Sequence, residues 1–300
     1  MRIGIDVGGS HIGLGIIDRE NRLIIKEEKD YDFINEDMSE VVINTIIDLL
    51  KQVLLKQNIV IEDIEKIGIA FPGTTSNGIV IKAENLGIIN LNIEARLKQI
   101  FNTKIVLEND AKCAAIAEKQ IGSLKKYDDA LFVIIGTGVG GAVFLQGRLL
   151  KPIRYSGFEV GHMVIKESEE QCNCGRKGCF EIYGSMKRFK EKIKQEFSLD
   201  SIDGKTIRLF MQENIEDNRL KKLIDEYIEN LVIGISNLVN IFEPQAISIG
   251  GSFGHYDEIL LPRLKKKLLE GKELYNKDNL PEILIAELKN DAGIIGAAML

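Results

Sequence analysis

Residues 130–147 read ALFVIIGTGVGGAVFLQG: an apolar run, a glycine-rich turn and a second apolar run. Gly136, Gly138 and Gly141 have the spacing of a dinucleotide-binding turn, but such a turn must open a helix. AVFLQG reads as a strand, so the Rossmann assignment fails on context. What remains is a strand-turn-strand unit, and it occurs twice.

The first copy opens the chain. RIGIDVG (2–8), IGLGIID (12–18) and RLIIKEEK (22–29) read as three short strands, broken by Gly8-Gly9 and by Arg19-Glu20-Asn21. SEVVINTIIDLLKQVLLKQ (39–57) has apolar residues at helical spacing. IEKIGIAF (64–71) reads as a buried strand stopped by Pro72-Gly73. A helix over 92–101, the strand KIVLEND (104–110) and a helix from Ala111 to about Ile121 complete the half.

The order then begins again with ALFVIIG, GGAVFLQG and RLLKPIRY (148–155). Helices are expected over 181–197, 205–213 and 218–242, followed by the strand AISIGG. A helix over about 256–270, the strand EILIAE and a terminal helix DAGIIGAAML finish the chain. Setting IGID (3–6) against VIIG (133–136) gives an offset of 130 residues. The economical reading is a duplicated α/β unit with a ligand-binding cleft between its halves.

Composition narrows the function classes. The chain has 300 residues, 45% hydrophobic and 28% charged, with a formal charge of −6. An acidic chain argues against a broad nucleic-acid or anionic-membrane surface. The opening MRIGIDVGGS lacks the apolar core of a signal peptide, and no apolar run approaches the ~20 residues of a membrane span. A cytoplasmic location is expected, where clustered cysteines bind metal more often than they pair. The run Lys265-Lys266-Lys267 reads as a solvated helix face.

Three Gly-rich turns stand at strand ends: DVGGS (6–10), GTGVGG (136–141) and GGSFG (250–254). Small residues let backbone amides approach an anion closely, which suits a nucleotide's phosphates. Asp6, at the end of the first strand, suits Mg²⁺, which prefers oxygen ligands. LEND (107–110) sets Asn109 and Asp110 at a strand end before a helix. Helix capping explains one of the two. The other, Asp110, reads as a general base taking a proton from a hydroxyl nucleophile.

EVGHMVIKESEEQCNCGRKGCFE (159–181) carries the sharpest signal. His162, Cys172, Cys174 and Cys179 form a one-His, three-Cys set suited to tetrahedral zinc. Four protein ligands leave no open coordination position, so the ion would be structural. No second CxxC or HxxxH pair accompanies them, against a nucleic-acid finger. Glu159 and Glu181 flank the ligands and read as acceptors for sugar hydroxyls, or one of them as a partner of the His ring.

Taken in order, DVGGS, IAFPG, ENL, END, GTGVGG, EVGH, CNCGRKGCFE and IGG resemble the ROK family of sugar kinases and related repressors, from residue 3 to the DAGIIGAA tail. The resemblance implies a two-domain actin-like, hexokinase-like (ribonuclease H-like) fold that phosphorylates a hexose with MgATP, often on its 6-hydroxyl. It implies domains at 1–120, joined by the terminal helix at about 291–300, and at 121–290. Asp110 would be the base, and Asn85, Asn109, Glu159, His162 and Glu181 would hold the sugar, with backbone near Gly73 closing over it. Asp6, Gly8, Gly9, Ser10, Thr137 and Gly138 would face phosphates and Mg²⁺, with Gly250 and Gly251 near the nucleoside. His162 would serve both zinc and sugar.

Members often carry Thr and Lys where Ser10 and His11 stand, and many glucose-using ones read PNLPGW where this chain has ENLGIIN. Glucose, N-acetylmannosamine, N-acetylglucosamine and fructose therefore all stay open as substrates. The family's repressors carry an N-terminal helix-turn-helix, for which a first strand at residue 3 leaves no room. A non-catalytic sugar sensor is the third option. A homodimer is expected, with neither nucleic acid nor membrane as partner.

Overall fold

The computed structural model describes residues 1–31, 37–152, 157–270 and 280–300. Two compact units form: Met1–Lys125 with Lys151–Gly157 and Leu288–Leu300, and Lys126–Leu150 with Phe158–Glu287. Among the described residues no helix is long and apolar enough to cross a membrane.

In the first unit β1 (Arg2–Val7), β2 (His11–Ile17) and β3 (Leu23–Asp30) lead into α1 (Met38–Lys56) and β4 (Lys66–Phe71). Three short strands follow, β5 (Thr74–Ser76), β6 (Ile79–Ala83) and β7 (Ile88–Asn92), then α2 (Ile93–Lys98), β8 (Lys104–Asn109) and α3 (Asp110–Gln120). The main sheet has the order β3-β2-β1-β4-β8, antiparallel through β2 and parallel across β1, β4 and β8. Inner strands are apolar on both faces, whereas edge strand β3 alternates, as an edge with one wet face should. α1 starts where the Asp37 carboxylate accepts the Ser39 amide, and it buries Val42, Ile46, Leu49 and Val53.

The second unit repeats this plan. β9 (Ala130–Ile135), β10 (Val139–Leu145) and β11 (Arg148–Leu149) are followed by α4 (Phe180–Gly184), α5 (Met186–Phe197), α6 (Gly204–Glu213) and α7 (Asn218–Phe242). β12 (Ala246–Gly250), α8 (Asp257–Glu270) and β13 (Glu282–Ile285) complete the sheet β11-β10-β9-β12-β13. Again three strands run parallel and two antiparallel. Val7 and Ile135 end the matching first strands, so the offset is 128 rather than 130. The two-residue slip leaves every side chain on the expected face, because strands repeat every two residues.

Three expectations change. The expected strand over 148–155 is two residues long where it is described, and 153–156 lie outside the described residues. The expected helix over 181–197 is two, because Ser185 adopts extended backbone (φ −73°, ψ 142°) between α4 and α5. A third sheet, β5-β6-β7, has no counterpart in the second half among the described residues. Its signal was present: Asn77 and Gly78, at φ 48° and 75°, are the Asn-Gly pair of a tight hairpin.

α9 (Ala292–Met299) belongs to the first unit and lies against β1, β4 and α3. Two strand glycines make this possible. A Cβ at Gly4 would overlap the carbonyl of Ile294, and one at Gly68 that of Ala297. Neither obstacle is a movable side chain, so backbone would have to shift. Gly68→Ala is accordingly expected to cost about 2–3 kcal/mol in denaturant-induced unfolding. A change below about 0.5 kcal/mol would show that α9 does not depend on this contact.

Candidate active site and metal-binding loop

β8 ends at Asn109 and α3 begins at Asp110, and the Asn109 side chain organises the junction. Its oxygen accepts the Lys112 amide at 3.2 Å, capping the helix. Its Nδ2 donates to the Gly73 carbonyl at 3.0 Å and to Asp110 Oδ1 at 2.9 Å. The same Oδ1 accepts the Ala111 amide at 2.8 Å, so the carboxylate is aimed before any ligand arrives. Gly73 sits at φ 91°, where a Cβ would overlap the Lys82 carbonyl.

Sequence reading misses the support behind this junction. Glu108 is 2% exposed, pairs with Lys151, and accepts the Asn109 amide at 3.0 Å. The only hint is a third polar residue in LEND, on the strand face opposite Ile105 and Leu107.

Asp6 lies at the end of β1 with its carboxyl enclosed, although part of the residue remains exposed. Burial pushes its pKa up from 3.8 to about 7, the negative charge of Asp110 adds to the rise, and Lys26 opposes it. Two carboxyls sharing one region is a site that a divalent cation would relieve, and the all-oxygen donor set fits Mg²⁺. In the turn beyond, the Gly8 amide donates to the His11 carbonyl at 2.9 Å. Among the described residues the Gly9 and Ser10 amides donate to no protein group, and a Cβ at Gly9 would meet nothing within 4 Å. Asn85 is exposed in a short turn after β6, and no described hydrogen bond ties its side chain to the residues above.

In the second unit the Gly136 amide closes onto the Gly138 carbonyl at 2.9 Å, and the Val139 amide donates to Glu181 Oε2 at 3.0 Å. Thr137 and Gly138 are left with amides that donate to no protein group among the described residues. Gly250 and Gly251 stand where β12 ends, Gly251 at φ 75°. Glu159 is exposed just before the turn carrying His162.

His162, Cys172, Cys174 and Cys179 bring one donor atom each within 4.8 Å of one another. His162 Nδ1 lies 3.6 Å from Cys172 Sγ, and Cys174 Sγ lies 3.6 Å from Cys179 Sγ. A tetrahedron with ~2.3 Å metal–sulfur bonds has edges near ~3.8 Å, so these spacings fit zinc. Nδ1 faces the thiols, which leaves Nε2 pointing elsewhere on the ring. His11 and His255 are exposed and outside the cluster, and Cys113 is buried in α3.

Residues 2–300 match the ROK family, and the chain belongs to it. A xylose repressor from Caldicellulosiruptor bescii is 28% identical over 98% of this chain and 76% of its own length. A glucokinase from Thermotoga maritima is 28% identical over 99% of this chain and 95% of its own. The crystal structure of a ROK family glucokinase from Streptomyces griseus, in complex with glucose and AMPPNP, superposes with a TM-score of 0.82 at 25% identity, covering 99% of this chain and 98% of its own. The fold is the duplicated actin-like, hexokinase-like fold of ROK hexokinases.

An acid whose pKa rises on folding makes the folded state take up a proton between the two values. Stability contributed at Asp6 is therefore lost as pH climbs from about 4 through 7. In buffer free of divalent cations, Asp6→Asn is expected to raise the calorimetric Tm by about 3 °C at pH ~8. The gain should fade towards pH ~4, and a gain independent of pH would contradict the assignment.

Proposed function

We propose that this protein is an ATP-dependent hexose kinase that phosphorylates the sugar's 6-hydroxyl. The observation that carries the reading is the Asp110 carboxylate, aimed by Asn109 and by the Ala111 amide at the start of α3 in a ROK-family chain. Asp110 takes the proton of the attacking hydroxyl, and most of the remaining catalysis is positioning and charge stabilisation.

On the first unit, Asn85, Asn109 and the backbone at Gly73 bind sugar hydroxyls. Both Asn109 Nδ2 hydrogens are already in use, so the sugar replaces one of those bonds rather than adding a third. The Gly8–Ser10 turn receives phosphate on the Gly9 and Ser10 amides and the Ser10 hydroxyl. Asp6 holds Mg²⁺, which supplies neutralising charge to the phosphates. On the second unit, Thr137 and Gly138 offer amides to phosphate and Gly250-Gly251 lie by the nucleoside. Glu159, Glu181 and His162 Nε2 take sugar hydroxyls. His162 Nδ1, Cys172, Cys174 and Cys179 hold a structural zinc that fixes this wall.

The sugar is glucose or an N-acetylhexosamine such as N-acetylmannosamine or N-acetylglucosamine; ENLGIIN lacks the aromatic and proline of glucose-using relatives. The xylose repressor similarity favours one alternative of another class, a sugar-binding sensor without catalysis. A cytoplasmic homodimer completes the reading, testable by light scattering.

A coupled ADP-release assay across hexoses and N-acetylhexosamines should give turnover with one group of sugars; a flat response to all would favour the sensor. Asp110→Asn should lower kcat by at least about a thousandfold while sugar affinity stays within a few fold. Wild-type-like turnover in that variant would remove Asp110 as the base. Elemental analysis should find one zinc per chain, and Cys174→Ser should lose it and raise the sugar KM.

A further inference from the structure

The Gly136–Gly138 turn and the metal-binding loop are packed as one body. Glu181 Oε2 accepts the Val139 amide at 3.0 Å, and a Cβ at Gly138 would overlap that same oxygen. Glu181 Oε1 points the other way and lies 3.9 Å from Cys172 Sγ. Gly161, beside His162, lies so close to Val139 that a Cβ would overlap its carbonyl. At Gly141 a Cβ would stand 2.9 Å from the Val160 side chain. From the far side, the Lys187 amide of α5 donates to the Gly136 carbonyl at 3.2 Å.

We infer that Glu181 is a positioning residue for the phosphate-binding turn, and that through it the metal loop sets the shape of that turn. The inference rests on the kinase reading only in taking this turn as the one that meets phosphate. A carboxylate beside an anion site looks unfavourable, but here it accepts the amide of Val139, a residue 7% exposed whose N–H would otherwise lose its partner. Occupying that amide also directs the turn. With the Gly136 amide turned onto the Gly138 carbonyl, Thr137 and Gly138 are the donors that remain. The cysteines and His162 therefore act on nucleotide affinity with no ligand of theirs in the turn.

The test is calorimetric binding of ADP, without sugar, to zinc-loaded protein, with zinc counted in every sample. Glu181→Ala should bind ADP about tenfold more weakly at full zinc content. Glu181→Gln keeps a carbonyl oxygen for the Val139 amide and should stay within about twofold of wild type. Its sugar KM should still rise, because the negative charge is gone, and that split separates positioning from general damage. Zinc-stripped wild type should lose ADP affinity to a similar degree as Glu181→Ala.

Glu181→Ala binding ADP like wild type with its zinc in place would overturn the inference and leave the kinase reading standing. Should that variant not fold, zinc-stripped wild type at full ADP affinity would overturn it equally. Wild type that binds no ADP would remove both readings.

Discussion

On the first unit, the candidate base and the loop after β4 are held by one side-chain amide. The oxygen and the two N–H groups of Asn109 are all engaged, with the first turn of α3, the Gly73 carbonyl and the Asp110 carboxylate. The strand end, the loop after β4 and the base are therefore set by a single planar group. Planarity matters, because moving any one partner turns the other two. Behind it, Glu108 holds the Asn109 backbone while Lys151 satisfies its buried charge. A buried carboxylate without that lysine would be costly, so this support is as much electrostatic as steric.

The charge distribution follows the same logic. Burial, with the negative charge of Asp110 adding to it, raises the cost of ionising Asp6 and pushes its pKa up to about 7. The fold tolerates this instability at a place where a cation and phosphates would reverse it. Among the described residues of the first unit, the open amides of Gly9 and Ser10 carry partial positive charge of the complementary sign. Stability is given up locally, a pattern that perturbed carboxyls at functional sites often show.

How much of this is legible beforehand depends on the range of the interactions involved. Strands and helices written in periods of about 2 and 3.6 residues can be read within a few positions, and the duplication follows from their order. The one-His, three-Cys cluster is legible because its four residues are close in sequence. The β5–β7 sheet escapes because its strands are three to five residues long, too short for periodicity, though Asn77-Gly78 marks its hairpin. Glu108 with Lys151, and buried Glu118, which accepts from Ser123 and from the Leu288 amide, join residues 43 and 170 apart. No local pattern announces a partner at that distance. In sequence Glu181 reads as a sugar contact because its neighbours are candidate metal ligands; its bond to Val139 emerges only from the packing.

α9 adds a constraint of timing. Gly4 and Gly68 leave β1 and β4 without side chains along the line where Ile294 and Ala297 later lie, and α9 buries most of its own residues there. On the ribosome these strands are made first, yet the helix that covers them begins at residue 292. The first unit is thus begun early and closed late, after the whole second unit has been synthesised.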